Sequence, residues 1–167
     1  PPGLLCLCKK KPLPKGYLLK PTFVLYELSD PGNVGTIIRT AVALKRKDLF
    51  LVNGCNYHNS KVVQATAGML AHINVIRGSW EYFLELRDKQ HCPVYAFDAN
   101  GEDMFNFSDD MLGCGYIMIG NEAKGIPENI LKDIDKTLSL PMSEECESLN
   151  AAIAASIAGY KAWKVKK

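Results

Sequence analysis

Three short segments of this chain bring glycines, amides and charged side chains together in patterns that could do chemistry. The first is Ser29-Asp30-Pro31-Gly32-Asn33-Val34-Gly35, with Arg39 one turn further on. Pro31 and Gly32 build a turn, and Asn33 is placed to cap the helix that follows. Gly35 in the first helical turn gives up about 1 kcal/mol of helix propensity relative to alanine, which points to close backbone approach there. Arg39 falls on the polar face with Thr36, Thr40 and Arg46, where a solvated cation is the plain reading. In the second segment, Ile117 to Pro127, a hydrophobic strand runs into Gly120-Asn121-Glu122, then Gly125 and a proline-started helix. Its glycines allow a turn to present N–H and C=O groups to a ligand. The third runs from Leu138-Ser139-Leu140-Pro141-Met142 through Glu144-Glu145-Cys146-Glu147 to Ser148-Leu149-Asn150, which opens an alanine-rich helix. Ser148 is a natural helix cap, whereas Asn150 in a first turn is unexpected, since asparagine is a poor helix-interior residue.

Each segment has a plain structural reading: a capped helix, a tight strand-to-helix turn, a capped helix again. The second is not a G-x-G-x-x-G loop, and no acidic residue follows a first-strand glycine loop at the dinucleotide-binding distance, so that chemistry is disfavoured. His58, His72 and His91 lack carboxylate neighbours in sequence, and no ligand cluster for a metal is evident.

The elements that must position these segments follow from hydrophobic periodicity. Apolar, β-branched or aromatic runs of strand length occur at Thr22–Leu28, Leu49–Asn53, Ile73–Arg77, Val94–Asp98, Tyr116–Gly120 and Thr137–Pro141. Helical patterns lie between them at Asn33–Arg46, Ser60–Leu70, Ser79–Gln90 (capped by Ser79), Pro127–Asp133 and Ser148–Lys164. The last carries Leu149, Ile153, Ile157 and Tyr160 on one stripe, and Ala151, Ala154, Ala155, Ala158 and Gly159 beside it. Such small side chains let a neighbour pack tightly. Strands alternating with helices imply an α/β fold with a mostly parallel sheet and helices on both faces. Ligands of such sheets sit beyond the carboxyl ends of the strands.

The 167 residues fit one domain large enough for a core without staples. Hydrophobic residues are 47% and charged residues 23%, an ordinary globular composition. No apolar run approaches the ~20 residues of a membrane span, so no membrane is expected as a partner. Six scattered cysteines without a C-x-x-C pair suit reduced thiols in a cytoplasmic compartment, an organelle being the alternative. Net charge is only +2, but lysines cluster at Lys9–Lys11, Lys45–Lys47 and Lys161–Lys167, where phosphate contacts and a solvated surface fit about equally. Residues 1–20 read as an edge strand (Leu4 to Cys8) and a linker, and 21–167 as the main domain. The chain starts at Pro1 without methionine or a signal region, so a longer protein is expected.

In this order and spacing, the three segments resemble the signature motifs of the SpoU (TrmH) family within the SPOUT methyltransferases. Asn33, Gly35 and Arg39 are similar to its first motif, and Gly120, Asn121, Glu122 and Gly125 to its second. Pro141, Met142, Ser148, Leu149 and Asn150 are similar to its third. The acidic run Glu144–Glu147 departs from the glycine or small polar residues of many members. The resemblance covers about residues 21–164 and implies a deep trefoil knot in the C-terminal half, an exception to the rule that chains do not thread. It implies methyl transfer from S-adenosylmethionine to a ribose 2′-hydroxyl of ribosomal or transfer RNA, by a homodimer with the last helix in its interface. Carried over, the backbone at Gly120, Leu140 and Leu149 would hold adenine and ribose, with Ala96, Phe97, Asn121, Gly125 and Met142 around them. Arg39 would sit beside the acceptor ribose, Asn33, Ser148 and Asn150 would orient it, and Glu122 would fix loop geometry. The opening residues are similar to the family's link to an N-terminal RNA-recognition domain. The alternative is a catalytically inactive RNA-binding module of the same fold.

Overall fold

The computed structural model describes Pro14 and residues 17–163. The edge strand expected at Leu4–Cys8 and the last residues of the chain lie outside the described residues. Six strands form one sheet: β1 (Phe23–Tyr26), β2 (Asp48–Val52), β3 (Asn74–Gly78), β4 (Val94–Asp103), β5 (Tyr116–Ile119) and β6 (Lys136–Ser139). Their order is β3-β2-β1-β5-β4-β6 and every pairing is parallel. Parallel neighbours need crossovers, which the helices supply: α1 (Pro31–Ala43), α2 (Ser60–Ala65), α3 (Trp80–Asp88), α4 (Asp109–Cys114), α5 (Glu128–Leu131) and α6 (Ala151–Ala162).

Because side chains alternate along a strand, the sheet divides the interior into two cores. Phe23, Leu25, Leu49 and Leu51 face α1 and α6, while Val24, Tyr26, Phe50 and Val52 face α3 and α5. Both faces are covered, as near-continuous apolar strands require. Strand order reverses between β1 and β5, which puts the switch point of the sheet at the ends of these strands.

Several boundaries differ from the periodicity reading, each for a local reason. Asp30, not Asn33, caps α1: its Oδ1 accepts from the Asn33 N–H at 2.7 Å, and Pro31 takes the first helical position, which needs no donor. Asn150, not Ser148, caps α6, with its Oδ1 accepting from the Ala152 and Ile153 N–H groups. The asparagine that looked misplaced inside a helix is the residue that begins it. Ser79 caps α3 as expected, through the Tyr82 N–H. The run Ser60–Leu70 breaks at Ala67 and Gly68, both at positive φ, into α2 and a 3₁₀ turn at Met69–His72. Proline 127 stands at the cap of α5 rather than in its first turn. Periodicity missed α4, a helix of six residues, too short to show a pattern.

The tightness expected of Gly35 and Gly159 is present. A Cβ on Gly35 would lie 2.4 Å from the Ala65 Cβ, so α1 and α2 meet at backbone distance. On α6 the small residues turn inward: a Cβ on Gly159 would lie 2.6 Å from the Phe23 ring and 2.7 Å from Leu44. The bulky stripe of Ile153, Ile157 and Tyr160 is correspondingly exposed.

At the end of the sheet opposite the strand carboxyl ends, Asp48 is 2% exposed and accepts from the Tyr17 hydroxyl and, at 3.0 Å, from Asn74. Burial first, then the Asp48 hydrogen bond and charge, push the Tyr17 phenol up to about 12. Burial likewise raises Tyr116, whose hydroxyl donates to the Leu19 carbonyl. An unfolded tyrosine ionises near 10. Folding therefore favours the protonated phenol, a contribution complete below pH 10 and lost between 10 and 12. The thermal midpoint is expected to fall across that window, and to fall less steeply in Tyr17→Phe. Parallel pH profiles for the two proteins would refute the assignment.

Candidate active site

The middle of β4, the carboxyl ends of β5 and β6 and the start of α6 enclose a cleft of about 390 Å³, within the size range of small-ligand sites. One wall is the turn after β5. Gly120, Asn121, Glu122 and Gly125 line it, and Gly125 sits at φ +64, where a side chain would be strained. The turn closes on itself: the Asn121 N–H donates to the Gly125 carbonyl at 3.2 Å and the Gly125 N–H to the Asn121 carbonyl at 2.9 Å. The Asn121 side chain is spent on this architecture. Its Oδ1 accepts from Ala123 and Lys124 N–H groups, and its Nδ2 donates to the Glu27 carbonyl at 2.9 Å. Glu27 itself has φ +50, a left-handed conformation that costs a non-glycine residue about 1–2 kcal/mol. The bond from Asn121 thus ties the β5 turn to β1 across the switch point.

The opposite wall comes from the third segment. Leu140, Met142, Ser148, Leu149 and Asn150 line it, followed by Ala151 and Ala154 of α6. Phe97 and Asp98 close the back from the middle of β4. There the β4–β6 register shifts: Phe97 and Glu102 both pair with Leu138, and the residues between them form a bulge. Close approach allows this, since a Cβ on Gly101 would lie 2.4 Å from the Leu138 carbonyl carbon.

Asn33 joins the three segments. Released from capping duty by Asp30, its Nδ2 donates to Glu122 Oε1 at 3.0 Å and its Oδ1 accepts from Asn150 Nδ2 at 2.9 Å. One amide thereby links a carboxylate from the second segment to the cap of α6. Asn33→Asp would replace a donor with a second carboxylate facing Glu122, a like-charge pair. Its thermal midpoint is expected to fall below wild type at about pH 8 and to recover at about pH 4, where carboxyls protonate; an equal deficit at both would contradict this geometry.

Of the residues singled out from sequence, Gly120, Asn121, Glu122, Gly125, Phe97, Leu140, Met142, Ser148, Leu149 and Asn150 line the cleft. Ala96 does not: it is fully buried beside Met118 in the core, because on a strand its side chain points opposite to that of Phe97. Arg39 is not in the lining either. It is exposed on α1, roughly 9 Å along the helix axis from Asn33, and makes no hydrogen bond or ion pair to the described residues. Sequence reasoning missed Asp98, Ala99, Ile119, Ala151 and Ala154; Asp98 was countable as the last residue of a strand whose carboxyl end faces the ligand. Among the described residues no group of three or more His, Cys, Asp or Glu could hold a metal. Burial first, then the Asp30 charge, raises the Cys55 thiol, which makes it a poor nucleophile.

Comparisons with known proteins give the family and the fold. The model of the SpoU rRNA methylase family matches residues 20–160. The 23S rRNA (guanosine(2553)-2'-O)-methyltransferase RlmP of Bacillus subtilis is 30% identical over 134 residues, 80% of this chain and 54% of that protein. The SpoU methyltransferase AviRb of Streptomyces viridochromogenes, solved in complex with the cofactor AdoMet, superposes with a TM-score of 0.77 at 28% identity, covering 90% of this chain and 62% of that one. A structure solved for the 2-OH methylation of C/U34 on tRNA has a TM-score of 0.75 at 32% identity, covering 86% of this chain and 93% of that one. The chain spans about half the length of the curated relatives it matches.

Proposed function

Because this chain belongs to the SpoU rRNA methylase family, we propose that it transfers a methyl group from S-adenosylmethionine to a ribose 2′-hydroxyl of ribosomal or transfer RNA. The observation that carries the reading is the convergence of Asn33, Glu122 and Asn150, far apart in sequence, into one hydrogen-bonded chain at the wall of the cleft.

The residues fit such a cofactor. Phe97, Ile119, Leu140 and Leu149 offer apolar surface for an adenine, and the self-closed turn at 121–125 offers backbone groups for a ribose. When bound, S-adenosylmethionine supplies a methyl group already activated by the sulfonium charge. The protein's part is then positioning, which can supply roughly 7–11 kcal/mol of barrier reduction, and help for the acceptor hydroxyl. Asn33 and Asn150 lock each other's orientation, Ser148 lies beside them, and Glu122 holds the Asn33 amide. Arg39 presents a planar fork of five donors and has no acceptor. We assign it to a backbone phosphate beside the acceptor ribose and to the developing alkoxide, rather than to proton removal.

The functional unit in this reading is a homodimer. Ile153, Ile157 and Tyr160 leave a bulky apolar stripe on α6 exposed by 37–59%, with Leu149 just before the helix. Thr40 on α1 lies 3.0 Å from Ser156 on α6, so the helix that carries Arg39 packs beside the helix that carries the stripe. A two-fold contact through α6 would bring the exposed arginine of one protomer against the other. The threaded crossing that the family resemblance implies belongs to the same reading. A cytoplasmic setting suits the free thiols of Cys55, Cys92, Cys114 and Cys146, and among the described residues no helix is long and apolar enough to cross a membrane.

The test is incubation of the intact protein with methyl-labelled S-adenosylmethionine and unmodified total RNA. Label is expected in RNA, at a linkage that resists alkaline cleavage. Cofactor binding without transfer would replace this reading with an inactive RNA-binding module.

A further inference from the structure

The charge of the cleft is one-sided. Its lining holds two carboxylates, Asp98 and Glu122, and no lysine, arginine or histidine among the described residues. Glu122 is engaged by the Asn33 amide. Asp98 is not neutralised: its Oδ1 accepts the Asn100 N–H at 3.0 Å, and none of the ion pairs among the described residues includes it. Its Oδ2 is turned across the cleft, 3.7 Å from the position that a Cβ on Gly125 would take. Its backbone is anchored by the preceding residue, Phe97, which pairs with both Ile119 and Leu138. A partly enclosed site of low dielectric strengthens the field of an uncompensated charge, so the cleft favours a cation over a neutral ligand of the same shape.

Resting on the cofactor reading above, we propose that Asp98 is a specificity-determining residue that distinguishes the sulfonium cofactor from the uncharged thioether left after methyl transfer. The cofactor and its product, S-adenosylhomocysteine, share adenine, ribose and the amino-acid end; they differ by one methyl group and one positive charge. Loss of that charge removes the attraction to Asp98 at the moment of transfer. The product is then held less tightly than the substrate it came from, and the site clears for another turnover.

The experiment is calorimetric titration of the intact protein and of Asp98→Asn with S-adenosylmethionine and with S-adenosylhomocysteine. Asparagine keeps an oxygen for the Asn100 N–H, so the loop is retained, and an unchanged thermal midpoint checks this. The wild-type preference for the cofactor over the product is expected to shrink roughly three- to tenfold in Asp98→Asn, through weaker cofactor binding. It is also expected to shrink with added salt in wild type but not in the variant. If the variant weakens both ligands equally, Asp98 is a hydroxyl acceptor or a loop residue and the inference is overturned. If wild type binds neither, the cofactor reading itself fails and takes this inference with it.

Discussion

Arg39→Ala is expected to leave S-adenosylmethionine affinity unchanged while lowering the methyl-transfer rate about 10²–10³-fold. The first half follows from position: Arg39 is outside the cleft lining, and its removal disturbs no bond among the described residues. An exposed helix residue replaced by alanine also has little effect on folding, within about 0.5 kcal/mol. The second half follows from chemistry. A ribose hydroxyl that gives up its proton develops negative charge, and the described surface beside the Asn33–Glu122–Asn150 chain offers amides and a carboxylate but no other motif cation. Arg39→Lys is expected to recover only part of the rate, because an ammonium cannot grip a phosphate bidentately. Single-turnover kinetics beside calorimetry separates the two halves. Full activity in Arg39→Ala would remove the residue from the mechanism, and lost cofactor affinity would put it in a different place.

Ile153→Glu should convert a dimer into monomers. Ile153 is 52% exposed on α6, so in an isolated chain the new carboxylate would remain in water and alter stability by no more than about 0.5 kcal/mol. In a two-fold contact through α6 the same change appears once per protomer and buries unpaired charge, which costs about 3–5 kcal/mol for each ion left without a partner. The sign of the result is therefore informative. Sedimentation velocity is expected to show the mass halved and activity lost with it, while circular dichroism keeps its helical and strand content. Wild type sedimenting as a monomer, or a variant dimer of unchanged affinity, would refute the interface.

The architecture was legible wherever a pattern was long enough to repeat. All six strands are found at their apolar runs, because strands covered on both faces are apolar there. But β4 runs on through a polar, largely exposed stretch to Asp103, five residues past the end of its run, which hydrophobic pattern could not show. The cleft was legible because its lining is concentrated in segments where glycines and amides follow strands. Errors came where a local bond competes with an equivalent neighbour. Asp30 and Asn33 can each cap α1, and Ser148 and Asn150 can each cap α6; which one does is decided by tertiary partners, since a capping Asn33 could not also reach Glu122 and Asn150. The stripe of Leu149, Ile153, Ile157 and Tyr160 was readable as periodic but not as outward-facing. Periodicity identifies a face, whereas the fit of Gly159 against Phe23 decides which face is inside. Asp98 and Ala96 differ by two positions on one strand, and the register shift after Phe97 lies between the core residue and the cleft residue.

The turn at 121–125 has a thermodynamic consequence. Its two reciprocal backbone bonds and the three bonds of the Asn121 amide are satisfied without any guest. Ordering of that jaw is thus completed during folding, and little conformational entropy remains to be surrendered at capture. The facing segment, residues 141–149, has a single backbone bond of its own, from the Cys146 N–H to the Ser143 carbonyl. A guest therefore meets one preset surface and one compliant surface: shape discrimination resides in the former, and the entropic penalty of association in the latter.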